Sequence, residues 1–173
     1  MKKALKYIGI GALVAISSFF ILGLIHPTGE YTNTTIVNAP LEKTFDIFND
    51  TTRMREWMPG MVSMENISGG ANEVGSKWKT TFRDGERDIV MTETVTAFKT
   101  NELFAFNLSN EVMNSDNEIR FTAKGNTTEI KAHCKYKGSN MFWRSMFVFF
   151  EGSMQQQQQE MYALLKKVIE ESK

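Results

Sequence analysis

The sequence predicts an α+β domain carried on an N-terminal transmembrane helix: a curved antiparallel sheet of about six to seven strands around one long C-terminal helix, with two short helices after the first strand. Three patterns carry that expectation. An uncharged run from Tyr7 to Ile25 follows Lys2, Lys3 and Lys6. Segments between residues 62 and 137 alternate apolar and polar side chains and are separated by Gly-containing turns. A single long helical stretch, from about Asn140 to Glu171, closes the chain. Strict alternation makes a sheet with one wet face and one covered face. The last helix is what remains to cover it.

The elements follow in order. The run from Tyr7 to Ile25 measures about 28 Å as a helix, close to the ~30 Å hydrocarbon core of a bilayer. It is longer than the apolar stretch of a cleaved signal peptide and lacks a small-residue cleavage site, so residues 1–27 read as an uncleaved anchor and 28–173 as the domain. The lysines all precede the span. The positive-inside rule then puts the N-terminus in the cytoplasm and the domain across the membrane, in a single-pass arrangement.

"YTNTTIVN" is Thr- and Val-rich and stops at Pro40, which suits the first turn of a helix bearing Leu41, Phe45 and Phe48. "TTRMREWM" reads as a second short helix capped by Thr51 or Thr52 and ended by Pro59-Gly60. Strands then follow one another. "VGSKWKTTF" sets Val74, Ser76, Trp78, Thr80 and Phe82 against lysines, and Asp84-Gly85 is a hairpin signal for a type I′ turn. "RDIVMTETVTAF" puts Ile89, Met91, Glu93 and Val95 on one face. "ELFAFNLS" aligns Phe104, Phe106 and Leu108, and "NEIRFTAK" aligns Ile119, Phe121 and Ala123. In "TTEIKAHCKYK", Thr128, Ile130, Ala132, Cys134 and Tyr136 face inward. The final helix is amphipathic in "MYALLKKVIEE" but apolar nearly all round in "MFWRSMFVFF"; the glutamines 155–159 between them read as a solvated face.

Charge and chemistry narrow the function. Twenty basic residues balance twenty acidic ones, so no overall field draws nucleic acid. One cysteine, Cys134, and two histidines, His26 and His133, give no metal-ligand spacing. No nucleophile elbow or zinc motif occurs, no catalytic residue stands out, and no cofactor is implied. "GGANEVGSK" has the wrong Ser-Lys order for a phosphate loop and leads into a strand rather than a helix. Glu93 alone breaks an apolar face; it is a desolvated acid or base there, or a carboxylate that finds water or a partner. The chain holds 13 Phe, 11 Met and 3 Trp, a composition that suits either a Met-rich core or a surface fitted to varied apolar shapes.

Four stretches, "TTIVNAPLEKTFDIFNDTTRMREWMPGM", "VGSKWKTTF", "TETVTAFKTNELFAF" and "LLKKVIEE", resemble the START/SRPBCC superfamily in its polyketide cyclase/dehydrase-like branch, across nearly all of residues 31–171. The resemblance implies a helix-grip fold with a deep apolar cavity between sheet and C-terminal helix. Trp57, Met58 and Met61 would stand at its mouth, unless they simply plug the end of the core. Trp78, Phe82, Met91, Glu93, Phe106, Phe121, Tyr136, Phe142, Met146 and Phe149 would line it. The expected function is a non-catalytic, membrane-anchored binding protein for an apolar or lipid-like small molecule. A cyclase or hydratase using a cavity carboxylate, and an interaction module that regulates a membrane partner, are the alternatives. "MFWRSMFVFF" has a second reading of its own, as a segment lying on the bilayer.

Overall fold

The computed structural model describes residues 2–172. Helix α1 (Lys2–Ile25) leads into strand β1 (Gly29–Val37), then helices α2 (Leu41–Asn49) and α3 (Met54–Trp57). Six strands follow: β2 (Met61–Ser68), β3 (Lys77–Asp84), β4 (Arg87–Lys99), β5 (Leu103–Ser109), β6 (Met113–Lys124) and β7 (Thr127–Gly138). Helix α4 (Met141–Glu171) ends the chain. The seven strands form one antiparallel sheet in the order β1-β7-β6-β5-β4-β3-β2, so the first and last strands are neighbours and β2 is the far edge. This is the α+β fold the alternation predicts.

The covered face is the one foreseen for β7, where Thr128, Ile130, Ala132, Cys134 and Tyr136 are all buried. Onto it and β1 packs α4, whose Tyr162, Leu165 and Ile169 are buried. Helix α2 adds Phe45 and Phe48, each 5.1 Å from the Phe121 ring in edge-to-face contact. Thr128 Oγ1 donates to the Ala39 carbonyl at 2.8 Å and ties the end of β1 to β7.

Local departures from the sequence expectations have local causes. The β3–β4 loop is Gly85-Glu86, because Asp84 pairs with Arg87. Of these two residues only Gly85 has positive φ (60°), so a type II′ turn replaces the expected type I′. Strand β3 starts at Lys77, since Gly75 turns the chain at φ 90° and leaves Val74 exposed. Ala123 is exposed as well, beyond the cover of the helices. Helix α3 is capped by Arg53 in a helical conformation, not by a threonine; Thr52 instead donates its N–H (3.0 Å) and hydroxyl (2.6 Å) to Asp50. The glutamine run is solvated only in part. Gln155 and Gln158 dock on β1, where the Asn33 amide donates to the Gln155 carbonyl at 3.0 Å and the Gln158 side chain at 2.9 Å.

Candidate functional site: an open apolar face beneath the long helix

Helix α4 crosses the β1 and β7 end of the sheet and reaches α2 and α3, while β3, β4 and β5 have little direct contact with it. The inner face of those strands carries Trp78, Thr80 and Phe82 on β3, Met91, Glu93 and Val95 on β4, and Phe104, Phe106 and Leu108 on β5. Their register sets Trp78 beside Glu93, Glu93 beside Leu108, Thr80 beside Met91 and Phe106 beside Val95. Val95 and Phe104 are sealed, but Trp78, Phe82, Phe106 and Leu108 remain half-buried. At the β2 edge Met61 pairs with Phe82, and Met58, Met61 and Met64 lie half-buried against the core.

The helix supplies the other wall. Met161 packs on the core, and the helical repeat places Met154 and Phe147 on the same side, one and two heptads earlier. An open cleft of about 490 Å³ runs along α4, bordered by Phe147, Phe150, Ser153, Met154, Gln156, Gln157 and Glu160, all on the helix itself.

Glu93 is the electrostatic centre of the face. It is 9% exposed and, among the described residues, its carboxyl has neither a hydrogen bond nor an ion pair. Burial raises its pKa from the ordinary glutamate 4.5 to about 7. Thr80 Oγ1, one position diagonal to it, is buried without a partner. A neutral carboxyl and a free hydroxyl on an otherwise apolar wall can donate to and accept from a ligand oxygen.

The remaining expected residues fall elsewhere. Trp57 is 1% exposed and stacks on Phe48 at 5.6 Å, inside the core behind the Pro59-Gly60 turn. Gly60 makes that turn at φ 77°, its carbonyl accepting from the Arg83 N–H at 2.7 Å, and a side chain there would press on the Arg83 carbonyl. Phe121 is core. Met146 is half-buried, while Phe142 and Phe149 face α1. The Tyr136 hydroxyl donates to Glu151 at 2.7 Å in a second cleft of about 210 Å³, where His26 to Gly29 meet β7 and α4. Arg144 borders the same cleft and donates to the Gly138 carbonyl at 3.3 Å. Sequence reasoning passed over Glu151, which looks like an ordinary helix charge, and read Arg144 beside Trp143 as a snorkelling cation or a pocket-wall residue. The one available signal was Gly138, where a Cβ would meet the Arg144 backbone nitrogen at 2.5 Å and so would break the close entry into α4.

The other buried ionisable groups are structural. Burial pushes up the Tyr31 and Tyr162 phenols, and it raises the Cys134 thiol against a smaller opposing effect of its bond to Tyr31. A thiol so raised is a poor nucleophile. Among the described residues no group of three His, Cys, Asp or Glu is placed to hold a metal ion.

Residues 28–170 match the family described as "Polyketide cyclase / dehydrase and lipid transport". The chain belongs to that family. Solved structures agree on the fold. Ara h 8.0201 is 12% identical with a TM-score of 0.67, covering 82% of this chain and 97% of its own. Truncated norcoclaurine synthase from Thalictrum flavum is 17% identical with a TM-score of 0.64, covering 84% and 96%. The di-domain ARO/CYC StfQ from the steffimycin biosynthetic pathway is 7% identical with a TM-score of 0.69, covering 84% of this chain and 52% of its own. No curated protein matches the chain in sequence. The family's description spans cyclases, dehydrases and lipid transport alike.

Proposed function

We propose that this chain is a membrane-anchored carrier or receptor for an apolar, lipid-like small molecule, held between the inner face of β3–β5 and α4 without covalent chemistry. The supporting observation is the uneven grip of α4, which leaves Trp78, Phe82, Phe106 and Leu108 half-buried on the inner face of β3–β5, around the buried Met91. Burying such a face against a ligand yields about 25 cal/mol per Å². Met58 and Met61 border the entrance, and Glu93 with Thr80 orients one polar group of the ligand. Trp57 and Phe121 support the site from the core. Residues 1–27 anchor the domain: α1 holds a 23-residue span, Lys3–Ile25, with mean hydropathy 2.5 and only 6% of its most apolar window buried. With the lysines at its start, the domain stands on the extracytoplasmic side.

The test is residues 28–173, produced without α1, incubated with host membrane extract, repurified and shown by circular dichroism to be folded. Native mass spectrometry is expected to find one apolar molecule per chain. A folded but empty protein sinks the carrier reading.

A second reading draws on Glu93. A carboxyl with a pKa of about 7 in a dry face is suited to general acid–base catalysis. A cyclase or hydratase reaction predicts that Glu93→Gln abolishes turnover of the extracted ligand while leaving its binding intact.

A further inference from the structure

The molecule carries a second apolar surface on the first turns of α4, whose Phe150 also borders the 490 Å³ cleft. On the face of α4 that bears Phe142, Met146 and Phe149, the next positions at helical spacing are Ser153, Gln156 and Glu160, so the face turns from apolar to polar at Gly152. Phe142 is 47% exposed, Phe149 63% and Phe150 47%. Aromatic rings so placed on a monomer need a partner.

Helix α1 touches this surface at one end. Phe19 lies 6.3 Å from Phe149, with rings nearly parallel, and 5.8 Å from Phe142. Gly23 is buried against Ser145, where a Cβ would stand 2.8 Å from the Ser145 nitrogen. The two backbones therefore cross at close range. N-terminal to Phe19 the helix is exposed and leaves the domain.

Depth follows from length. The span Lys3–Ile25 has 23 residues, about 34 Å at 1.5 Å per residue, against a hydrocarbon core of ~30 Å. With Lys3 at the far boundary, only about 4 Å of helix emerges beside the domain, and tilt shortens that excess. Phe19 lies about 9 Å before Ile25 along the axis, hence below the near boundary. A ring stacked on Phe19 shares its depth.

We propose that the first turns of α4, Met141–Phe150, lie in the bilayer beside α1, with Phe142, Phe149 and Phe150 in contact with lipid, so that the domain is seated on the membrane rather than tethered above it. This rests on α1 being the membrane anchor. The polar groups of the segment fit such a seat. Arg144 and Glu151 turn toward β7 and the cleft that also holds His26, at the level where α1 ends. The polar break at Gly152 marks where α4 rises from the lipid.

The test uses the full chain in phosphatidylcholine vesicles, with a bimane label at Phe150→Cys or, as a second reporter, Ser153→Cys. The parent serves as the blank, because its one thiol, Cys134, is buried. Val14→Cys reports on the span and Lys131→Cys on the outer sheet face, both exposed in the structure. The label at 150 is expected to lose most of its emission to acyl-brominated lipid and little to aqueous iodide, as at 14, with 153 shallower. Iodide quenching at 150 and 153 together with lipid quenching at 14 overturns the seated domain and leaves the anchor intact. No lipid quenching at 14 removes the anchor, and the seat with it.

Discussion

The two halves of the sheet are built to different rules. Around β1 and β7, with α2 and the end of α4, Val37, Ile130, Leu165 and Ile169 are wholly or almost wholly buried, and Thr128 and Asn33 have their polar groups bonded, although the Thr44 hydroxyl on α2 is buried without a partner. Across β3, β4 and β5, the same inner face carries half-exposed aromatics, a carboxyl with no partner and a buried hydroxyl with none. A face whose polar groups are left unsatisfied gives up stability unless something else satisfies them. The first half holds the fold together; the second is the face on which the proposed ligand would sit.

The sharpest way to break this comparison is to truncate one apolar residue in each half. Leu165→Ala should cost about 4 kcal/mol, a full transfer loss plus a cavity. Met61→Ala, at the half-open edge, should cost about 1 kcal/mol, since solvent and flexible neighbours refill the space. Urea denaturation at pH 7 measures both. Equal losses would mean that the open half is as tightly packed as the closed one.

Next in size is the titration of Glu93. Its pKa is raised by burial from 4.5 to about 7, so the folded protein holds a proton that the unfolded chain releases from about pH 4.5 upward. Stability from this group is thus full at low pH, falls as pH rises between about 4.5 and 7, and is flat above. The difference amounts to about 3 kcal/mol at 1.36 kcal/mol per unit. Glu93→Gln should therefore gain on the parent across that window and stay ahead at pH 8. A parent and variant whose unfolding midpoints run parallel from pH 4.5 to 8 would place the carboxyl in water.

A smaller pair compares hydroxyls. Thr128→Val removes a bond to the Ala39 carbonyl and should cost about 1–2 kcal/mol by leaving that acceptor unsatisfied. Thr80→Val removes a buried hydroxyl that has no partner and should be neutral or stabilising. Thermal melts of the two, run without added lipid, decide it. Smallest is the loss of the Tyr136 hydroxyl. Tyr136→Phe breaks its bond to Glu151 in a cleft reached by solvent and should cost about 1 kcal/mol or less.

The sequence made the order of elements legible because sheet and helix periods differ, and β7 shows it best, with every inward position correctly assigned from alternation alone. Turns were less legible. Asp84-Gly85 has the right composition for a hairpin, but pairing across the sheet made Gly85-Glu86 the loop. In the candidate site, alternation set Met91 and Glu93 on one face, and the structure adds that Glu93 has no partner, a property of neighbours distant in sequence. Trp57 and Met61 sit on either side of one Pro-Gly turn and look equivalent in the sequence. Only the stacking on Phe48 separates a core ring from a half-exposed edge.

What the sequence determined by itself is whatever short-range periodicity and composition can encode: the long apolar α1, the antiparallel strands, the final helix and the inward faces. What the tertiary structure decided is where α4 lies. Its helical pattern offers an apolar surface on several sides but does not say which side meets the sheet, which meets α1 and which stays open. That choice depends on close approach, as where Gly23 meets Ser145 and Gly138 meets Arg144, and on the pairing of β1 with β7. These contacts join residues far apart along the chain, and no local pattern carries them.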